Sequence, residues 1–452
     1  MPIGTRRCLA ISCLISALQL WVLSDVESAV AEDGTDPVAT ELAKLRAEYQ
    51  EVQREWVRAL PPDGAKKSDR EVSDEEWLRA GRQAEAGVAD PDSQLLPRYL
   101  ALAKAHPQSP YSLDALAFVI MRGGYHTGDV HGEPWRLKEQ ALDLLASHHL
   151  ASSRVVHVFT LVSGSLPSQK SESFLRQAFE TGPNSTTRAA AGFSLAQYFH
   201  NLGKAHARTR QIRSQSRVAN NERFWKLVVA PYLDEQFPYD EAKASAEIDR
   251  ILTRVIASYS DIQATDWTWS GPNNEFLKSK AFSQPKTYGD LAKALLLERS
   301  RLAPGKRVPE IAGTDAAGSR FCLSDYRGKV VLLTFSANWC GACIELYPLQ
   351  RNLIEKFHDQ PFVLLSVSMD ESLDTLKSST ASGDIAWRCW WDGMEGPIRQ
   401  AWNISSAPTV YLLDQQGIVQ DVRLGRTTPQ EEFERAISSL LTKVPAADRP
   451  GR

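Results

Sequence analysis

The chain is poor in cysteine and carries almost no excess of charge. It has six cysteines in 452 residues and a formal net charge of −3. A small fold stapled by disulfides uses many more cysteines in a much shorter chain, so that class is excluded. A nearly neutral chain has no overall attraction for nucleic acid or for anionic membranes. The length and the balance of apolar and charged residues predict a globular protein of two or three domains.

The first residues predict an export signal. Arg6 and Arg7 supply a positive region, Leu9 to Leu23 is mostly apolar, and Ala29-Val30-Ala31 offers small residues for cleavage. We therefore assign residues 1–31 to a signal peptide and expect an exported protein in the periplasm or another extracytoplasmic space. The alternative is an uncleaved membrane anchor, although the apolar run is short for a span of about 20 residues.

Helical patterns follow the signal as far as residue 302. We predict a helical, partly disordered lead-in over 32–94 and an α-helical domain over 95–302. Apolar residues recur every three or four positions in the lead-in, which indicates an amphipathic helix: Leu42, Leu45, Tyr49, Val52 and Trp56.

Glycines close several of the predicted helices at a regular spacing. They are Gly123, Gly164 and Gly203, about 40 residues apart, and Gly203 ends a helix predicted from Thr187 to Leu202. Periods near this length mark helical-hairpin arrays. A tetratricopeptide-like repeat and an irregular helical domain therefore both stay open, and in either form the domain is a candidate for binding another protein.

Two polar stretches in this region resemble binding sites but are better explained as surface structure. Basic residues recur from Lys204 to Arg223 without aromatic residues between them, which favours a solvated helix face over a nucleic-acid site. His126, His131 and Glu133 lie close together, but their spacing fits no common zinc pattern. We predict neither a nucleic-acid partner nor a bound metal.

The pattern of apolar residues changes after a predicted linker, Ala303-Pro304-Gly305-Lys306. Short apolar runs predict strands at 330–335, 362–367, 409–413 and 419–423, with helical patterns at 340–358, 373–380, 397–402 and 429–441. Strands that alternate with helices imply a sheet covered by helices on both faces. We predict an α/β domain over 303–445 that folds by itself, followed by a disordered tail over 446–452.

The motif Trp339-Cys340-Gly341-Ala342-Cys343 lies between the first of these strands and the next helix. At a helix start, unpaired backbone N–H groups and the positive end of the helix dipole stabilise a thiolate, so Cys340 is the candidate attacking thiol. Cys343 lies one helical turn later, where it can attack a mixed disulfide and release the product. A zinc half-site would need two further ligands, and no second close pair of Cys or His follows.

These residues carry a resemblance to a known family. Residues from about 305 to 441 resemble the extracytoplasmic TlpA-like branch of the thioredoxin superfamily, related to AhpC/TSA proteins. The matching segments are Gly305 to Ile311, the hairpin and strand from Phe321 to Leu333, and Pro348 in the active-site helix. The resemblance implies a thioredoxin fold with a central mixed sheet, in which Ala407-Pro408-Thr409 carries a cis-proline beside the two sulfurs.

The sequence departs from the family at two positions. Thr334 stands where thioredoxins have a buried Asp, and Leu346 stands where the TlpA-like branch has a Glu. We expect Glu345 to point away from the cysteines, because it lies two residues after Cys343 on the helix. The usual proton acceptor for the resolving step is therefore missing or moved.

The function that follows is thiol–disulfide exchange on exported proteins, without a cofactor beyond the redox-active disulfide. We expect protein disulfides as substrates and an upstream, membrane-bound thiol carrier as electron donor. The candidate catalytic residues are Cys340 and Cys343, and the candidate substrate-binding residues are Trp339, Gly341, Ala342, Ala407 and Pro408.

Two alternatives remain at this point. One is a thiol peroxidase of the peroxiredoxin type, although Cys340 lacks the preceding Pro and Thr that such enzymes carry. The other is a binding scaffold in which the helical domain recruits a partner and the redox fold is incidental.

Two further cysteines remain after the signal, Cys322 and Cys389. Both have apolar or aromatic neighbours, and we expect no bond between them.

Overall fold

The computed structural model describes residues 36–59, 90–123, 132–214, 225–264, 287–404, 406–422 and 428–442. The described residues divide into two units, the first up to Ala292 and the second from Lys293. The predicted signal over 1–31, the tail over 446–452, and both His126 and His131 lie outside the described residues. No helix among the described residues is long and apolar enough to cross a membrane.

The first unit is built from helices, as predicted. They are α1 (Pro37–Ala59), α2 (Pro91–Ala105), α3 (Pro110–Gly123), α4 (Glu133–His148), α5 (Val155–Gly164), α6 (Gln169–Thr181), α7 (Ser185–Ser214), α8 (Ala230–Gln236) and α9 (Glu241–Tyr259). Several begin at a residue whose side chain accepts from backbone N–H groups of the first turn, such as Asp90, Ser168 and Asp240. The long helix α7 packs against α5, α6 and α9.

The predicted end of a helix at Gly203 is wrong. Helix α7 continues through Gly203 to Ser214. A Cβ atom at position 203 would lie 2.4 Å from the hydroxyl oxygen of Tyr239, so the glycine lets this ring approach the helix closely. The glycine therefore serves packing and does not terminate the helix. Gly123 and Gly164 do end α3 and α5.

The basic segment after Lys204 is partly neutralised within the first unit. Arg213 forms an ion pair with Asp234, and Arg210 lies 3.8 Å from a carboxylate oxygen of Glu241. The guanidinium of Arg208 lies over the ring of Trp225. These contacts suit a solvated helix face held by neighbouring acids.

Helix α4 buries one lysine completely. The Nζ atom of Lys138 donates to the Ser165 hydroxyl at 3.2 Å and to the Leu166 carbonyl at 3.0 Å. It also lies 4.3 Å from the centre of the Trp135 ring. Because burial penalises the charged form, the pKa of Lys138 falls from its ordinary value to about 7.

The second unit alternates strands and helices. Its elements are α10 (Tyr288–Leu297, shared with the first unit), β1 (Ala312–Thr314), β2 (Arg320–Cys322), β3 (Val330–Ser336), α11 (Gly341–Lys356), β4 (Phe362–Ser368), α12 (Leu373–Ala381), β5 (Arg388–Trp391), α13 (Pro397–Ala401), β6 (Thr409–Leu413), β7 (Val419–Asp421) and α14 (Gln430–Leu441). Strands β1 and β2 form an antiparallel pair.

The central sheet has the strand order β5-β4-β3-β6-β7. Strand β3 pairs parallel with β4 and antiparallel with β6, so the sheet is mixed. Alternate residues of β3 supply two apolar clusters, one with Val331, Leu333 and Phe335 and the other with Val330 and Leu332. The second cluster includes residues of α11 and α14, which cover that face. The predicted fold class is confirmed for this unit.

Two parts of this unit differ from the sequence prediction. Strand β5 is not predicted, because four residues rich in tryptophan give no recognisable alternation. The unit also starts about ten residues before the predicted linker. Leu302 is 3% exposed and belongs to the same cluster as Phe335, and Leu297 packs against that cluster. These leucines precede the predicted boundary but belong to the core of the second unit.

Candidate active site

The cysteine motif lies where the central strand passes into the active-site helix. All residues of β3 are buried, and α11 begins at Gly341 with Cys340 as its N-cap residue. The backbone N–H of Cys343 donates to the sulfur of Cys340 at 3.2 Å. The first cysteine therefore sits where a helix start supplies hydrogen-bond donors to a sulfur anion.

The two cysteines form a disulfide with a Cα–Cα separation of 5.2 Å. Cys340 is 7% exposed and Cys343 is 1% exposed, so the first cysteine is the more accessible residue of the pair. A Cβ atom at Gly341 would meet no neighbouring atom within 4 Å, which leaves the space over the helix start open. This asymmetry suits an attacking Cys340 and a resolving Cys343.

The segment with Pro408 lies beside the motif. The peptide bond between Ala407 and Pro408 is cis, as the resemblance implies. Thr409 of β6 pairs with Phe335 of β3, which places Pro408 next to the end of β3 from which the motif leaves. Trp339 and Ala407 are partly buried and pack against the apolar cluster of Phe335. Their predicted substrate contacts, with those of Gly341 and Ala342, stay predictions.

The buried face of α11 contains no acid next to the cysteines. Leu346 is 3% exposed and lies in the apolar cluster under the helix, whereas Glu345 is exposed. Both observations follow the expectation for a helix in which position 346 shares a face with Cys343. Thr334 is buried, and its hydroxyl accepts a hydrogen bond of 3.0 Å from the Gln350 side-chain amide. A neutral hydroxyl–amide pair thus occupies the place of the buried carboxylate of thioredoxins.

Sequence reasoning missed two buried polar residues of this region. Gln350 lies seven residues after Cys343, a spacing that returns to the same helix face and could have signalled its position. Asp370 lies two residues after the end of β4, and its backbone carbonyl accepts from the Trp391 indole at 3.0 Å. A polar residue at the carboxyl end of a central parallel strand is a recognisable signal for such a site.

The other two cysteines of the unit are free, as expected. Cys389 lies on β5 among Tyr347, Leu376 and Ile385. Burial raises the pKa of the Cys389 thiol to about 12, so it remains a neutral thiol at physiological pH. Across the described segments, no group of three His, Cys, Asp or Glu side chains is placed to hold a metal ion.

Comparison with known proteins finds relatives of the second unit. Residues 304–422 match the AhpC/TSA family. A thiol-disulfide oxidoreductase ResA from Geobacillus kaustophilus is 29% identical over 143 residues, which cover 32% of this chain and 81% of that protein. The thioredoxin-like protein YneN from Bacillus subtilis is 29% identical over 129 residues, 28% of this chain and 75% of its own.

The C-terminal unit belongs to the thioredoxin superfamily. It is a TlpA-like thiol–disulfide oxidoreductase. Among solved structures, a thiol:disulfide interchange protein DsbE from Chlorobium tepidum is 26% identical with a TM-score of 0.29. That match covers 31% of this chain and 98% of the other. These matches concern the thioredoxin-like unit and leave the helical unit without a counterpart among them.

Proposed function

We propose that the thioredoxin-like unit exchanges disulfides of exported proteins through a dithiol–disulfide cycle of Cys340 and Cys343. The observation that carries the proposal is the disulfide at the start of α11, with the more exposed of the two cysteines at the N-cap. No cofactor beyond this disulfide is needed. Export is supported by the predicted signal over 1–31.

The reducing half of the cycle has two steps. The Cys340 thiolate attacks one sulfur of the substrate disulfide, forming a mixed disulfide and releasing the other substrate sulfur as a thiolate, which takes up a proton. Cys343 then loses its proton and attacks the Cys340 sulfur. This forms the Cys340–Cys343 bond and releases the second substrate thiol. A thiol donor, proposed to be an upstream membrane-bound carrier, reduces the pair again.

The direct test is insulin reduction by the full chain with dithiothreitol as electron source. We expect activity that is lost in Cys340→Ser, because no attacking sulfur remains. In Cys343→Ser the mixed disulfide cannot resolve, so we expect substrate proteins to be trapped on Cys340. The matched control is Cys389→Ser, which removes a buried free thiol and leaves the cycle intact.

Three results would count against the proposal. Full activity in Cys340→Ser would assign the chemistry elsewhere. No trapped species with Cys343→Ser in extracts of exported proteins would contradict the mixed-disulfide step. Rapid turnover of hydrogen peroxide without any disulfide substrate would instead favour the peroxidase alternative.

A further inference from the structure

A buried carboxylate lies directly behind the loop that leads into the cysteine motif. Asp370 follows β4 and is 2% exposed. Its oxygens accept from the backbone N–H of Asn338 at 2.8 Å and from the Asn338 side-chain amide at 3.2 Å. A third bond comes from the Ser368 hydroxyl at 2.9 Å. Because Asn338 lies two residues before Cys340, the carboxylate is tied to the motif itself.

The Asn338 side chain fastens the loop at a second point. The second hydrogen of its amide group is donated to the Ser379 hydroxyl of α12 at 2.8 Å. The loop is thereby held both to the end of β4 and to α12, and no donor of the Asn338 side chain is left over.

Three hydrogen-bond donors reach the oxygens of Asp370, an arrangement that suits a carboxylate as acceptor. Burial raises the pKa of Asp370, and the hydrogen bonds from Asn338 and Ser368 oppose that shift. In the part of the chain that the structure describes, no lysine or arginine forms an ion pair with it. Tyr347 on α11 and Cys389 on β5 are titratable groups that interact with it. Burial raises the pKa of each to about 12, so both stay neutral at physiological pH.

We infer that Asp370 is a positioning residue for Cys340: through Asn338 it holds the motif loop at the end of β4, with a fixed negative charge behind the attacking sulfur. A negative charge disfavours the Cys340 thiolate and therefore favours the disulfide over the dithiol, which makes the pair a stronger reductant. The helix start acts in the opposite direction. The equilibrium between disulfide and dithiol then reflects both the charge of Asp370 and the helix start.

The size of the effect follows from the short path between the two groups. Two residues of chain separate the bonded N–H from Cys340, so the charge lies on the order of 10 Å from the sulfur. At an effective dielectric constant of about 20, one charge at that distance changes an equilibrium on the order of tenfold. A tenfold change in the equilibrium of a two-electron couple corresponds to about 30 mV.

The test is the equilibrium of the full-length protein with glutathione, together with the pH midpoint for alkylation of Cys340 by iodoacetamide. In Asp370→Asn the amide oxygen can still accept from the Asn338 backbone, whereas the charge is lost. We expect an equilibrium up to about tenfold more towards the dithiol and an alkylation midpoint about one pH unit lower. A merely structural role would move neither quantity in this direction.

Asp392→Asn is the matched control. Asp392 is a half-buried carboxylate near the end of the same sheet, but it accepts from the backbone of Ile398 and Arg399 at the start of α13 and does not bond the motif loop. We expect the equilibrium constant to stay within about threefold of wild type and the alkylation midpoint within about half a pH unit. An Asp370→Asn protein that matches this control, or that shifts towards the disulfide, overturns the inference.

A second measurement covers the case in which Asp370→Asn does not fold. In wild type the backbone N–H of Asn338 should exchange with solvent at least about a hundredfold more slowly than in an unstructured peptide. Unprotected exchange would show that the bond to Asp370 does not hold the loop, and would overturn the inference.

The inference rests on the proposed redox cycle, but the two fail separately. A cysteine pair that does not equilibrate with glutathione refutes the cycle. An unchanged equilibrium constant in Asp370→Asn refutes only the role of Asp370.

Discussion

The buried amine of Lys138 should make the stability of the helical unit depend on pH in the alkaline range. The pKa of this group is about 7 in the folded protein, against an ordinary value near 10.5. Between these values the folded protein binds fewer protons than the unfolded chain, so stability increases with pH. Conversely, stability is lost as the pH falls towards the folded pKa.

The magnitude follows from the same two values. Each pH unit within the window changes the free energy of unfolding by about 1.4 kcal/mol per proton. Because Lys138 is already half deprotonated near pH 7, raising the pH from 7 to 9 should add about 2 kcal/mol. In Lys138→Met this contribution vanishes. The variant also leaves the Leu166 carbonyl without its donor, but that loss is the same at both pH values.

The assay is urea unfolding of the full chain followed by far-ultraviolet circular dichroism at pH 7 and pH 9. The quantity of interest is the difference in unfolding free energy between Lys138→Met and wild type, which should shift by about 2 kcal/mol between the two pH values. Lys170→Met is the control, since this lysine is exposed and pairs with Asp143 at the surface. Parallel pH profiles for Lys138→Met and wild type would refute the reasoning, because they would mean that Lys138 keeps its ordinary pKa.

Three further predictions concern the thioredoxin-like unit. Glu345→Gln should leave the rate of the resolving step within a few-fold of wild type. Leu346→Glu should change the pH dependence of that step if its carboxylate reaches the cysteine pair. Stopped-flow measurements across pH test both, and a hundredfold loss of rate in Glu345→Gln would contradict the helix geometry. Leu302→Ala should destabilise the unit by about 2–5 kcal/mol in denaturant unfolding, because it leaves a cavity in the core, and a loss below about 0.5 kcal/mol would place the residue outside that core. Thr334→Val should cost about 1–3 kcal/mol, because it strands the buried amide of Gln350, and a neutral result would show that the amide finds another acceptor.

The parts of the fold that the sequence predicts are those with strong local patterns. The run from Val330 to Phe335 is apolar throughout, as expected for a strand buried on both faces, and the structure makes it the central strand β3. The cysteine pair is recognisable for a similar reason, since strand, motif and helix follow each other within a few residues. Leu346 and Glu345 can be assigned to opposite environments from helical geometry alone.

The parts that escape prediction depend on contacts between residues distant in sequence. Gly203 resembles a helix terminus locally, and only the ring of Tyr239, which comes much later in the chain, explains why a glycine stands inside a helix. Leu302 belongs to the second unit because of the core it enters, although a Pro-Gly pair just after it suggests a boundary. Asp370 reaches the motif only because β4 pairs beside β3.

The pair of Thr334 and Gln350 removes one source of coupling between electrons and protons. A carboxylate in that layer would change its affinity for a proton whenever the sulfurs above it change between disulfide and dithiol. A hydroxyl and an amide have no proton to exchange in the physiological range. Oxidation of the cysteines therefore leaves Thr334 and Gln350 uncharged, so this pair has the same charge in both halves of the catalytic cycle.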